Sequence, residues 1–294
     1  MTMITERIKT MLQACEGGDP PFPPTVLFNE NWLLRLVVDW FIHHAEERHP
    51  MVPAAGAGWF SEAWLPSAFL PRYRGDPLAE SRTHADGVMG HFAIGDRGAV
   101  DLALRPDAGQ FVVIEAKIAG RLSPGVKNAP FFDQAARSVA CIAEALRRVE
   151  RPADRMEDLA FYLVAPRHRI EEGVFEGELA PASIREKVRR RVDAYEGTRD
   201  DWFRDWFEPT LENVDILCVS WEDLIDEISF LDMISGQQID SFYGRCLHFN
   251  RRGAWPGPRT ADGGGAETIV PGHAALGPDD LRTGGTNGPG VTTR

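Results

Sequence analysis

The sequence has few of the features that mark secreted, membrane-spanning or disulfide-stabilised proteins. It contains only four cysteines in 294 residues, and no two of them form a CxxC pair. This number and spacing exclude a disulfide framework and give no sign of a structural zinc site. No run approaches the roughly 18 uncharged apolar residues of a membrane span, and Glu6, Arg7 and Lys9 interrupt the place of a signal peptide. We therefore expect a cytoplasmic protein with reduced cysteines that does not bind membranes.

Positive charge is also scarce. The chain has 32 Lys and Arg residues against 44 Asp and Glu, a formal net charge of -12 at pH 7. A surface that coats nucleic acid by charge alone needs clustered Lys and Arg, so the acidic balance disfavours such a surface but is compatible with a local basic cleft. The motifs GxSxG, GxGxxG, HExxH and the P-loop are absent as well, which leaves the hydrolase and nucleotide-binding classes that use them without support.

What remains is the composition of a folded globular protein, with 43% hydrophobic and 26% charged residues. Residues 1–24 are predicted to form a helix and a Pro/Gly-rich linker. Residues 25–250 are predicted to form the main domain with a C-terminal α/β extension. Residues 251–294 are rich in Gly, Pro and Thr, and we expect a disordered tail because they offer too little apolar surface to offset the entropy of ordering.

The main domain opens with a helical pattern at residues 28–48, in which Leu33, Val37 and Phe41 share one face and Asn29 is placed as the N-cap. Period-two patterns then predict three short strands, which we expect to form an antiparallel meander. These strands are residues 83–94, 99–105 and 111–118.

A second helix is predicted over residues 130–149, with Pro130 in its first turn, followed by a buried strand at 159–166. A basic helix, another buried strand and a helix that begins near Trp221 complete the domain. The fold class is therefore α/β, with a central mixed sheet flanked by helices.

The end of the strand FVVIEAK carries the residues best suited to chemistry. Glu115 and Lys117 project side by side, because alternate strand residues share a face. If the preceding hairpin turns near Asp107, Asp101 lies opposite Glu115 at about 5 Å. Two carboxylates and a lysine would then converge, a group that suits Mg²⁺ or Mn²⁺.

Asp86 competes with Asp101 for the second carboxylate position. In a plain meander Asp86 sits at the far end of its strand, and this geometry slightly favours Asp101. An inserted hairpin spanning residues 95–110 would instead bring Asp86 alongside Glu115. Both residues stay candidates at this point.

The loop after this strand adds Arg121, Ser123 and Lys127 just before a helix N-terminus. Backbone amides and the helix dipole favour anions there, so these three residues are predicted to bind a substrate phosphate.

The order of these features resembles the PD-(D/E)XK nuclease superfamily over residues 28–165. The resemblance rests on a helix with an early Glu30, a strand aspartate, the VVIEAK strand and a helix with an early Gln134. It implies a restriction-endonuclease-like core. Glu115 and the upstream aspartate would be metal ligands, with Lys117 as the catalytic lysine. Glu30 would complete the metal shell, and Gln134 would be the helix glutamine of several branches of the family, placed to help position the phosphate.

The resemblance implies a nuclease that hydrolyses phosphodiester bonds in DNA with Mg²⁺ or Mn²⁺; a homodimer or a protein partner is compatible with it. The sequence departs from the family pattern because neither Asp86 nor Asp101 follows a proline. The alternative is a catalytically inactive nuclease-like fold that acts as a protein or nucleic-acid binding module.

Several residues also have plainer explanations. Glu30 can be a first-turn acid that complements the helix dipole, and Gln134 can belong to a stripe of small packing residues. His84 and His91 flank Asp86 and could assist it, although strand histidines are more often structural. The basic run at residues 185–191 and the tryptophans of RDDWFRDWF could contact nucleic acid, but an exposed helix face and an apolar helix edge are the better explanations.

Overall fold

The structure is a computed structural model that describes residues 3–17, 21–44, 51–80, 82–95, 101–125 and 128–251. In these ranges the chain is an α/β protein whose five-stranded mixed sheet is flanked by helices, as predicted. None of the helices there combines the length and apolar character needed to cross a bilayer. The predicted tail lies outside the described residues, apart from Arg251.

The strands and helices follow one another along the chain with a hairpin inserted before the central strand. The strands are β1 (Gly58–Leu65), β2 (Thr83–Gly90), β3 (Phe92–Ile94), β4 (Leu102–Leu104), β5 (Gln110–Ala116), β6 (Asp158–Ala165) and β7 (Asp215–Ser220). The longer helices are α1 (Met3–Gly17), α2 (Glu30–His43), α3 (Gln134–Arg148), α6 (Pro181–Asp193), α9 (Trp221–Leu231) and α10 (Met233–Phe249). The short ones are α4 (Arg167–Glu171), α5 (Glu176–Leu179), α7 (Asp200–Trp202) and α8 (Glu208–Asn213), with a π-helical turn (Phe203–Phe207) between the last two.

The sheet has the order β1-β2-β5-β6-β7. Its first three strands are antiparallel, and β5, β6 and β7 are parallel. The parallel strands β5 and β6 correspond to apolar runs predicted from the sequence, because a strand that is covered on both faces reads as a continuous hydrophobic segment. The third parallel strand, β7, was also predicted as buried, but it lies at the edge of the sheet and is partly exposed. The edge strand β1 has no counterpart among the predicted strands.

The predicted three-stranded meander is wrong. The chain leaves the sheet after β2 and forms a separate two-stranded sheet from β3 and β4, so that β2 pairs directly with β5 and Val88 lies opposite Val113. The expected pairing of Asp101 with Glu115 is therefore also wrong. Asp101 lies beside the start of β4, where it forms an exposed ion pair with Arg82 at 2.7 Å.

The central strand β5 supports a hydrophobic core on each face of the sheet. Phe111 and Val113 pack in the cluster that contains α3, whereas Val112 and Ile114 pack in the cluster that contains α2. All seven residues of β5 are buried. A polar residue on this strand must therefore find its partners inside the protein.

Both helices that flank β5 begin at a side-chain cap. The Asn29 side chain accepts a hydrogen bond from the Trp32 amide at 3.0 Å, as predicted for the N-cap of α2. At α3 the Asp133 side chain accepts a hydrogen bond from the Ala136 amide at 3.1 Å, so the helix starts later than predicted. Pro130 precedes this cap and is not in the first turn.

Gly90 ends β2, where the chain departs into the inserted hairpin, and a larger residue at this position should destabilise the protein. Its φ is +139°, and an added Cβ would lie 2.2 Å from the Gln110 carbonyl oxygen. We expect Gly90→Ala to lower the free energy of unfolding by about 2–5 kcal/mol, because backbone strain and overlap with backbone atoms add together. Urea denaturation measures the change.

The matched control is Gly58→Ala. Gly58 is the cross-strand partner of Gly90, and an added Cβ there meets no atom within 4 Å. Equal effects of the two substitutions would contradict the assigned close approach of Gly90 to β5.

Candidate functional site

Asp86, Glu115 and Lys117 converge where β5 ends. The Lys117 Nζ atom lies 3.8 Å from Asp86 Oδ2 and 3.9 Å from Glu115 Oε2. The β2–β5 register places Gly87 opposite Ile114, and its next step sets Asp86 against Glu115. The structure thus matches the second alternative, in which an inserted hairpin brings Asp86 alongside Glu115, and it places Asp101 elsewhere.

The Asp86 carboxylate is fixed by the backbone of the neighbouring strand. Its Oδ2 accepts a hydrogen bond from the Ala116 amide at 2.8 Å. This hydrogen bond provides a partner for the Ala116 amide, which lies just beyond the last backbone pair of β2 and β5. The Asp86 side chain therefore cannot rotate away from Glu115 without leaving a backbone donor unpaired.

Glu115 is fully buried and held by α3. The Gln134 Nε2 donates to Glu115 Oε2 at 2.5 Å, and the Ser138 hydroxyl donates to Oε1 at 3.4 Å. The other end of the Gln134 amide accepts a hydrogen bond from the Ser123 amide at 3.0 Å. Since both ends of its amide are engaged, Gln134 has the contacts of a residue that positions Glu115 rather than one that binds a phosphate directly.

The Lys117 backbone is anchored on two sides, which defines where its ammonium group can reach. Its amide donates to the Val164 carbonyl at 2.8 Å, and its carbonyl accepts from the Trp221 indole at 2.9 Å. The Lys117 and Asp86 side chains retain 13% and 20% exposure. The site is therefore open to solvent on the side of these two residues, whereas Glu115 forms its closed floor.

Burial raises the pKa of Glu115 well above its ordinary value, and the negative charge of Asp86 raises this pKa further. Lys117 opposes the increase but does not cancel it. Two neighbouring acids that disfavour simultaneous ionisation offer a hard cation both charge and oxygen ligands.

The donor set fits Mg²⁺, which binds proteins through one or two carboxylates and completes its shell with water and substrate phosphate oxygens. In the described part of the chain, no group of three or more His, Cys, Asp or Glu side chains is arranged to hold a metal ion. Asp86 and Glu115 therefore offer two protein ligands, and further ligands would come from solvent or substrate.

A third carboxylate, Glu62 of β1, was missed by sequence reasoning. Ser61 pairs with Gly87 and Ala63 with Ala85, so Glu62 lies opposite Asp86. Burial raises the pKa of Glu62, and the charge of Asp86 adds to the increase.

The Glu62 carboxylate is already engaged by other side chains. Its Oε1 accepts a hydrogen bond from Asn31 Nδ2 at 2.6 Å, and Arg35 lies 3.5 Å away. Glu62 has a φ of +61°, which interrupts the alternation of faces in β1. No periodic signal in the sequence could have identified this position.

The predicted phosphate-binding loop is largely occupied by contacts within the chain. The Arg121 guanidinium donates to the Val174 carbonyl at 2.8 Å and faces Glu178 at 3.7 Å. Ser123 is tied to Gln134 through its backbone, and Lys127 lies outside the described residues. The structure does not bring the side chains of Arg121 and Ser123 to the acid pair.

The N-terminus of α3 is not a free anion site. Asp133 caps it with its own carboxylate, and Lys187 donates to the Asp133 Oδ2 at 2.6 Å. An internal anion and its counterion thus occupy the position that was expected to receive phosphate.

Glu30 lies beside α10 and not in the site. Burial raises the pKa of the Cys246 thiol to about 12, and the negative charge of Glu30 contributes to this increase. Among the described residues, Glu30 forms no ion pair or hydrogen bond with Asp86 or Glu115. The expected completion of a metal shell by Glu30 therefore has no contact to support it, and the next helix residue, Asn31, reaches toward the site through Glu62 instead.

Of the two histidines near Asp86, only His84 lies at the site. His91 accepts hydrogen bonds from the Gly109 and Gln110 amides at 3.2 and 3.1 Å and is structural. His84 lies 4.0 Å from Glu62.

The basic run of α6 and the following tryptophans support the fold. Arg191 is buried and donates to the Leu78 carbonyl, and Arg185 pairs with Glu208 at 2.9 Å. Trp202 is buried in the apolar core. The burial of Trp202 agrees with the packing explanation, whereas the burial of Arg191 differs from the expected exposed face of the basic helix.

The closeness of Asp86 to the buried Glu115 predicts that Glu115→Gln stabilises the metal-free protein. When the folded-state pKa of a carboxyl lies above its unfolded value near 4.3, the free energy of unfolding of the protein falls as the pH rises toward the folded-state pKa. The neutral amide can donate to Asp86 and accept from Gln134 without this loss. We expect the variant to be more stable by about 1–3 kcal/mol at pH 8 in EDTA and nearly equal to the wild type at pH 4.

Denaturant unfolding at both pH values measures this effect. Glu212→Gln, at an exposed position of α8, serves as the control and should follow the wild-type profile. Parallel pH profiles for Glu115→Gln and wild type would refute the proposed repulsion between the two acids.

Comparison of the chain with protein-family models, curated proteins and solved structures finds no match in any of the three. The functional interpretation therefore depends on the geometry of the site and on the resemblance of its motifs.

Proposed function

We propose that this protein is a metal-dependent nuclease that hydrolyses phosphodiester bonds, with DNA as the substrate. The observation that carries the proposal is the convergence of Asp86, Glu115 and Lys117, with Nζ–O distances of 3.8 and 3.9 Å. Two hard carboxylates beside one ammonium group suit a phosphate ester, which needs charge neutralisation during attack on phosphorus.

The arrangement of elements around these residues supports the proposal. Helix α2, the antiparallel strands β1, β2 and β5, helix α3 and the parallel strand β6 follow the order of a restriction-endonuclease-like core. In that resemblance the aspartate and the Glu-x-Lys segment lie on adjacent strands, a position that Asp86 and Glu115 occupy here. The hairpin of β3 and β4 is an insertion between those strands.

Asp86 and Glu115 would hold Mg²⁺ or Mn²⁺ in this site. The bound ion would supply Lewis-acid polarisation of a phosphoryl oxygen and a lowered pKa for a coordinated water. The Ala116 amide keeps Asp86 in place, and Gln134 keeps Glu115 in place. Neither carboxylate then needs to reorganise when the substrate arrives.

Lys117 supplies a positive charge on the exposed side of the acid pair. From this position its ammonium group can donate to a non-bridging phosphate oxygen and orient the attacking water. In the reaction the water oxygen forms a bond to phosphorus and releases a proton to solvent, the bond to the leaving ester oxygen breaks, and the leaving oxygen takes up a proton from solvent. Lys117 would stabilise the charge that develops on the phosphoryl oxygens during this step.

Cleavage assays with single- and double-stranded DNA and RNA test the proposal, each with Mg²⁺, Mn²⁺ or EDTA. We expect cleavage that depends on the divalent ion. Asp86→Asn, Glu115→Gln and Lys117→Met should each lower kcat by about 100-fold or more, because each removes a group that acts on the transition state. Circular dichroism should show that all three variants keep their fold.

The control for these variants is Asp107→Asn, which changes an exposed aspartate in the turn before β5 that pairs with Arg105 at 2.9 Å. Its kcat should stay within about twofold of wild type. Absence of cleavage for every substrate and every ion would contradict the proposal and favour the nuclease-like binding module.

A further inference from the structure

A continuous set of aromatic and cationic side chains borders the acid pair on the side of β1. We call this set the aromatic rim. Its members are Trp32, Arg35, Glu62, Trp64, Arg82 and His84.

The members of the aromatic rim contact one another in sequence. The Arg35 guanidinium lies over the Trp32 ring at 4.9 Å from its centroid and 3.5 Å from Glu62. On the other side of Glu62, His84 lies at 4.0 Å. The rim therefore runs from α2 to β2 across Glu62, which lies opposite Asp86.

The far end of the rim repeats the same combination of groups. The Trp64 and His84 rings have centroids 5.5 Å apart, and the Arg82 guanidinium lies 4.3 Å over Trp64. Arg82 is held in this position by Asp101 at 2.7 Å. Two arginine–tryptophan stacks thus flank the entrance to the site.

Three of these planar groups remain accessible, whereas Trp64 is half-buried. Trp32 is 42% exposed, and the side chains of His84 and Arg82 are 51% and 48% exposed. Indole, imidazole and guanidinium planes are the groups on which unpaired bases stack in proteins that bind single strands. In a duplex the base faces are covered by neighbouring bases and are not available to such a surface.

The charge of the aromatic rim also favours an unpaired strand. Glu62 and Asp101 balance its two arginines, so the rim lacks the excess of positive charge through which proteins bind duplex phosphates. The protein as a whole carries a net charge of -12. Affinity at this surface must therefore come mainly from stacking, with few phosphate contacts.

We propose that the aromatic rim binds an unpaired segment of nucleic acid and delivers it to Asp86, Glu115 and Lys117. This inference rests on the proposed nuclease function, since it names the form of substrate that the site receives. In the bound state a phosphate replaces Asp101 as the partner of Arg82.

Fluorescence anisotropy with a labelled ten-nucleotide oligothymidylate tests the proposal, in EDTA so that binding is measured without cleavage. We expect wild type to bind this strand about tenfold or more tightly than a ten-base-pair duplex. The slope of log K against log salt should be about -1.4, as expected for roughly two phosphate contacts.

Two substitutions at the Arg82–Asp101 pair should act in opposite directions. Arg82→Ala removes a stacking and phosphate-binding group and should weaken binding by about fivefold or more. Asp101→Asn releases Arg82 from its competitor and should tighten binding by about two- to fivefold. Trp32→Ala, at an exposed position of α2, should also weaken binding by about fivefold or more.

Arg105→Ala and Asp107→Asn are matched controls, because they alter a similar exposed ion pair outside the rim. They should leave the affinity within about twofold of wild type. Equal affinity for strand and duplex, no binding, or an Arg82→Ala variant that binds like wild type would each overturn the inference. Strand binding without metal-dependent cleavage would support binding by the aromatic rim and contradict the nuclease function. Cleavage with an affinity that does not depend on the rim would support the nuclease function and contradict binding by the rim.

Discussion

The closeness of Asp86 and Glu115 is the constraint on which the rest of the site depends. Two carboxyl groups at the end of a buried strand repel each other when ionised, and burial adds to the cost for Glu115. The surrounding fold holds them together with the Ala116 amide on one side and Gln134 on the other. Such an arrangement stabilises the free protein poorly, but it provides concentrated negative charge where a cation can bind and a phosphate can follow.

The parts of the fold that were predictable from sequence are those set by local or continuous patterns. The helix capped by Asn29, the buried strands β5 and β6 and the apolar edge strand β7 each carry their signal within about 20 residues. The side-by-side placement of Glu115 and Lys117 follows from strand geometry in the same way. The choice between Asp86 and Asp101 depends on whether residues 92–104 join the main sheet, and that is decided by packing between distant segments, which no local pattern reports.

Charged residues were the hardest to assign from sequence, because the residues around a charged side chain do not show which group neutralises it in the fold. Lys187 and Arg191 belong to a run that reads as a solvent-facing or nucleic-acid-binding face in the sequence, yet Lys187 pairs with Asp133 at the start of α3 and Arg191 is buried. Glu62 gave no signal, since its positive φ interrupts the alternation of the half-exposed strand that carries it. The apolar pattern predicted the strands and helices that carry the site. Tertiary contacts determined which of its charged side chains already have partners within the protein.

The three acids of adjacent strands differ in what neutralises them, and this difference separates two roles. Glu62 already has Asn31 and Arg35 as partners, so it can hold the aromatic rim together without a metal ion. Among the described residues, Lys117 is the one cation that pairs with Glu115 and Asp86, and one ammonium group leaves a net negative charge that a divalent ion can offset. Because Arg35 is tied to Glu62 and Arg82 to Asp101, little positive charge remains at the entrance for a polyanion. Under the proposed function, a substrate would therefore be recognised through its bases before its phosphate reaches the acid pair, which requires that those bases be unpaired.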